Sequence, residues 1–209
     1  MALTIDELKK GISYWRCTKW PQDFHNAFYE CGLAPVRSGG VFNDEWWNRF
    51  IRILHDWRAT RPCSFACLTA RAQERFTTMG EKWSDAVAPH LSGDIAGLEW
   101  SQVAAFPVLV AEIKPLKRPS PVFTAKFCHF LAPRIFPVID NKAMRTRFPT
   151  YENYFRAAKT EWRDTDAGIQ RDLVRELKKE VEVTAPLFDG FPMKCKLIEL
   201  CLIGRRSHA

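Results

Sequence analysis

Apolar residues along this 209-residue chain recur at helical spacing and are interrupted by proline and glycine rather than by alternation. Thr4 to Glu7 reads as a Thr-x-x-Glu capping box that opens a helix toward Trp15. A short helix in "QDFHNAFYECG" can stop at Gly32, and "APVRSGGVF" reads as a loop. Asn43 caps "DEWWNRFIRILHDWRAT", where Trp46, Trp47, Phe50, Ile51, Leu54 and Trp57 recur at helical intervals. One more helix is expected from Ser64 to about Met79. After the polar break "APHLSGDIAG", the apolar "WSQVAAFPVLVAEI" is helical, with Pro107 forcing a kink or a fresh start. Ser120 caps and Pro121 begins "VFTAKFCHFL", whose buried stripe is Phe123, Phe127, Phe130 and Leu131. The later helices cover Tyr151 to Trp162, Ala167 to Glu182 and Met193 to Ile203. No stretch alternates long enough to make a strand. The pattern predicts an all-α fold in one domain over residues 1–209, with room for two helical lobes.

Composition changes this picture little: 46% hydrophobic and 26% charged residues belong to an ordinary globular chain able to bury a core. No apolar run approaches a membrane span, and "MALTIDELKKGISYW" lacks a signal-peptide core, so a cytoplasmic protein is expected. The seven cysteines form an odd set scattered over helices, which suits reduced thiols better than a disulfide framework. Cys63 and Cys67 in "CSFAC" have the spacing of half a metal site, but no second pair or histidine follows at a ligand-like interval. Neither metal nor cofactor is expected, and a monomer is.

Charge changes it more. The net charge is +7, and between Lys114 and Arg147 eight lysines and arginines face a single acid, Asp140. That segment carries the whole excess, which is the footprint of a phosphate-backbone partner or else a solvated basic face.

Asp140 itself ends the short run "FPVID". Pro137 bars a helix through Phe136, and "NKAMRTRF" after Asp140 reads as a helix, which places the aspartate at its N-cap. A negative charge there is held by backbone N–H groups and by the helix dipole. In a basic groove it can stabilise positive charge developing on a substrate or orient a water. It can equally be a helix cap and nothing more.

The stretch "PSPVFTAKFCHFL…FPVIDNKAMR" resembles the signature of the helix-hairpin-helix DNA glycosylases. Thr124-Ala125 matches their helix start, and Phe136-Pro137-Val138-Ile139-Asp140 matches their catalytic aspartate segment with one extra residue. Thr124 and Asp140 lie sixteen positions apart, close to the family's interval, and the likeness covers about a fifth of the chain. The wording "AKFCHFLAPRIFPVID" also looks like small bacterial relatives linked to anti-phage defence, which act on modified bases. Three features depart from the pattern. Pro119-Ser120-Pro121 stands where the family has turn glycines, Phe123 stands where bifunctional members have a lysine, and the four-cysteine iron–sulfur motif is missing.

The resemblance implies hydrolysis of an N-glycosidic bond in DNA carrying modified bases, with Asp140 stabilising the oxocarbenium-like sugar or polarising the attacking water. Lys117, Arg118 and the Ser120 hydroxyl would replace the glycine turn's grip on DNA; Lys126, Lys142 and Arg145 would contact phosphates. Trp46 or Trp47 is the candidate base pocket or wedge. His129 would contact DNA, line a pocket, or sit satisfied at the core edge. With Phe123 in the lysine position no lyase step is implied, and Lys126 would supply one only in a different register. Two other readings remain: a non-catalytic helical DNA-binding module, and a metal-dependent nuclease in which Glu99 or Glu112 approaches Asp140.

Overall fold

Helix starts in this chain are set by side chains that take the first orphan amides. Thr4 accepts from the Glu7 amide while Glu7 accepts from the Thr4 amide, so the predicted capping box forms. Asn43, Ser64, Ser120, Asp140 and Thr150 each accept from an amide of the helix that follows. The computed structural model describes residues 2–17, 31–117, 120–182 and 190–206. The described helices are α1 (Ile5–Arg16), α2 (Ala34–Arg37), α3 (Asp44–Asp56), α4 (Phe65–Gln73), α5 (Phe76–Ala86), α6 (Trp100–Val103), α7 (Ala105–Ile113), α8 (Pro121–Leu131), α9 (Asn141–Met144), α10 (Tyr151–Arg163), α11 (Ala167–Glu182) and α12 (Met193–Arg206). No strand occurs among the described residues, and the fold is all-α.

Several expectations change in detail. The helix expected within 22–32 lies almost entirely outside the described residues. The loop "APVRSGGVF" contains the single turn α2. The helix expected from Ser64 to Met79 is two, because Arg75 folds its guanidinium back onto the Arg71 carbonyl and satisfies the end of α4 there. Pro107 lies in the first turn of a fresh helix, α7, where its missing N–H breaks no helical bond. After Asp140 only one turn forms. Arg145 takes a left-handed conformation, φ 47°, and the Thr146 hydroxyl donates to the Met144 carbonyl, closing α9.

Packing places α8 at the centre, with every residue from Phe123 to Leu131 buried. It contacts α3, α7 and α10. Among the described residues the first and last helices form the most extensive seam. A Cβ on Gly11 would fall on the Leu200 carbonyl, and one on Gly204 on the Glu7 carbonyl, so glycine is what lets the two backbones approach. Arg205 locks this seam by donating to Glu7 at 2.6 Å and to Glu161 of α10 at 3.0 Å. No described helix is long and apolar enough to cross a membrane.

Candidate active site

The segment leading to Asp140 is extended, and its carbonyls must find donors from outside a helix. Three successive carbonyls receive one each. The His129 ring donates from Nδ1 to Phe136 at 2.7 Å, the Tyr151 hydroxyl to Pro137 at 3.0 Å, and the Tyr154 hydroxyl to Val138 at 2.7 Å. All three donors are neutral. Burial, and then the charge of Lys196, push the His129 pKa down to about 3 against the opposing pull of its carbonyl bond. Burial pushes both tyrosine hydroxyls far upward. A carbonyl only accepts, so the histidine proton sits on Nδ1. The backbone before Asp140 is therefore pinned by α8 and α10 without any charge that solvent pH near neutrality would alter.

Asp140 is the N-cap of α9, half-exposed, with backbone φ −119° and ψ 95°. Both capping amides, Lys142 and Ala143, donate to the same oxygen, Oδ1, at 3.0 Å. One carboxylate oxygen thus carries the cap. Beside it the Asn141 Oδ1 is buried without a hydrogen-bond partner among the described residues.

The other site candidates divide by burial. Lys117, Lys142 and Arg145 are exposed, as a phosphate contact must be. The Ser120 hydroxyl is half-buried and accepts from the Phe123 amide, and Arg118 lies outside the described residues. Four candidates need correction. Lys126 is 7% exposed, and its ammonium donates to the Trp57 carbonyl at 2.7 Å and lies over the Trp57 ring. This removes it from any surface phosphate. His129 is 2% exposed and committed to Phe136, so of its three expected roles only the satisfied core histidine holds. Trp46 and Trp47 are both core. Trp46 stacks on Phe50, Trp47 donates to the Thr69 hydroxyl, and Phe127 of α8 packs against both, which is how adjacent positions on α3 come to be buried together. Neither is available as a wedge. Of the carboxylates considered as partners for Asp140, Glu99 pairs with Lys159, which holds its pKa low, and Glu112 pairs with Arg75.

What surrounds Asp140 was not marked in the sequence. Burial lowers the Lys126 pKa, while the negative charges of Asp140 and Glu199 raise it and Arg58 lowers it. Glu199 and Lys196 form a buried pair on α12. Lys114, also buried, donates to the Ala59 carbonyl at 2.6 Å, so two lysines hold the carbonyls on either side of Arg58. Lysines in a solvated basic run look identical to these until the chain folds. Among the described residues no three His, Cys, Asp or Glu side chains group as a metal site.

A cavity of about 770 Å³ opens between α4, α7 and the starts of α8 and α10, lined in part by Arg71, Arg75, Glu112, Lys114, Thr124 and Tyr151. Asp140 is not among its lining residues. Thr124 faces it, and Lys126, two residues on, is roughly 200° around the helix. Tyr151, which lines the cavity, also donates to Pro137 in the segment leading to Asp140.

Set against family models, curated proteins and solved structures, the chain matches none of them.

Proposed function

We propose that this chain is a monofunctional DNA glycosylase that hydrolyses the N-glycosidic bond of a modified base and leaves an abasic site. The observation that carries the reading is Asp140: a half-exposed carboxylate that caps a helix through one oxygen, at the end of a segment pinned by three neutral donors. The sequence likeness of "FTAKFCHFL…FPVID" to helix-hairpin-helix glycosylases supports it, as do the exposed cations Lys117, Lys142, Arg145 and Arg147.

In this mechanism the C1′–N bond breaks and the base departs with the bonding electrons, taking up a proton. The sugar gains oxocarbenium character, which the negative charge of Asp140 stabilises. A water polarised by the same carboxylate adds to C1′ and releases its proton. Phe123 is fully buried and offers no amine, so the product is an intact strand carrying an abasic site. The reading includes a cytoplasmic monomer, and modified phage DNA as the substrate class.

Incubation with DNA containing modified bases, followed by alkali, tests it. Wild type should yield alkali-dependent breaks. Asp140→Asn should lower base release by about 10²–10³-fold while DNA affinity stays close to wild type, because the amide oxygen still caps α9 but the charge is gone. A folded Asn variant with full turnover removes Asp140 from catalysis. A second reading, the non-catalytic DNA-binding module, is favoured by the fact that the two capping bonds alone account for where Asp140 sits. Retarded DNA without abasic sites, from every modified substrate, selects it.

A further inference from the structure

We propose that Arg58 binds a backbone phosphate of the nucleic acid strand that lies against the Asp140 face. The proposal rests on the DNA-binding part of the function above. Its first support is conformational. The end of α3 is a Schellman motif: the Arg58 amide donates to His55 at 2.7 Å and the Ala59 amide to Leu54 at 2.8 Å. The residue between those bonds must be left-handed, and Arg58 has φ 57°. Glycine is the usual occupant, because a side chain is penalised there and glycine is not. Among the described residues the non-glycine positions with positive φ are Arg58 and Arg145, both exposed arginines, and Arg145 follows the helix that Asp140 caps.

The second support is how much structure is committed to this turn. The motif is complete with its two backbone bonds, yet Lys126 also grips the Trp57 carbonyl and Lys114 the Ala59 carbonyl, both from the core. Burying two ammonium groups is unfavourable, and a surface turn whose side chain had no task would gain nothing from it. The turn is held so that it cannot relax. Lys126 links it to Asp140: its ammonium donates at 2.7 Å to the carbonyl of Trp57, the residue before Arg58, and the charges of both Arg58 and Asp140 act on it.

Third, the guanidinium is unspent. Arg58 makes no side-chain hydrogen bond or ion pair with any described residue, and neither do Arg52 or Arg61, exposed on the same helix end. Asp56 is the acid of that turn. A cation is favoured at any helix C-terminus by the dipole, but every position of the last turn provides that benefit without a left-handed backbone. An arginine held out on a left-handed backbone and without a described partner suits a bidentate phosphate contact.

Arg58→Gly tests this without endangering the fold, since glycine suits the turn. Binding of a short fluorescein-labelled duplex should weaken about tenfold at low salt, and the slope of log K against log salt should fall by about one. The melting temperature should stay level or rise. Arg58→Lys, which keeps charge but not the planar fork, should fall between the two. Equal affinity and slope for Arg58→Gly and wild type would overturn the assignment. So would tight binding of inorganic phosphate that Arg58→Gly abolishes while duplex binding is unchanged, because Arg58 would then serve a free anion. Wild type that binds no duplex and no single strand removes it together with the DNA reading. The glycine variant is read by binding and Asp140→Asn by base release, so either assignment can fail alone.

Discussion

Arg205 and Arg58 are the same residue type put to opposite uses in two regions of one molecule. In the α1–α12 seam Arg205 meets Glu7 and Glu161, and all three side chains are less than a fifth exposed. At the end of α3, Arg58 stands in solvent on a left-handed backbone with no described partner. Charge matched and partly dried is a structural fastener, whose removal leaves two carboxylates uncompensated. Unmatched charge on a strained turn adds to the fold no more than its share of the helix dipole and is available to a ligand. The difference separates basic residues that build this protein from those that serve it, which a net charge of +7 does not.

The largest effect that would break this contrast is in the seam. Arg205→Ala should destabilise the fold by about 3 kcal/mol, measured by urea unfolding, because it strands Glu7 and Glu161 between helices. A loss below about 1 kcal/mol would mean that the glycine contacts alone hold the seam. Arg58 would then no longer be distinguished from Arg205 by its lack of a stabilising role.

Reading the chain without its structure recovers one half of this contrast. The caps at Thr4, Asn43, Ser120 and Asp140 were legible because each is a contact between a side chain and an amide two or three residues on. The burial of Lys126 was not, since its partner is the Trp57 carbonyl 69 positions away. Trp46 and Trp47 misled for the same reason: whether neighbouring tryptophans can both be inside depends on Phe127 of a distant helix. Arg58 went unseen because the sequence signal for its turn is glycine, and glycine is what the chain does not have there.

The middle-sized effect concerns the neutral donors behind Asp140. His129 has a folded pKa of about 3 against 6.5 ordinarily, so between those values the unfolded chain binds a proton that the folded one refuses. Stability is therefore retained above pH 6.5 and lost as pH falls below it, by about 1 kcal/mol between pH 6.5 and 5.5 and approaching about 1.4 kcal/mol per pH unit below that from this group. Most carboxylates titrate lower, so unfolding measured between pH 6.5 and 5.5 isolates the histidine. In His129→Gln the slope over that interval should flatten. An unchanged slope would show that the ring is protonated in the folded state and that the segment before Asp140 is held by a charge.

The smallest effect on the fold is expected on the exposed side of the contrast. Lys117 and Lys142 are exposed and make no ion pair with a described residue, so replacing both with Gln should change stability by less than about 0.5 kcal/mol. Their effect should appear in binding instead. Each phosphate contact that is lost releases roughly one counterion fewer, so the salt slope should fall by about two, equally for every DNA sequence, because backbone contacts carry no sequence information. If the slope falls for one sequence and not another, these lysines read bases or a groove shape. If it does not fall at all, the strand passes elsewhere, and the exposed cations of the 114–147 segment are a solvated face. Should the double variant lose stability on the scale of Arg205→Ala, exposure and the lack of a partner would no longer mark the functional arginines and lysines of this fold, and Arg58 would lose its strongest argument with them.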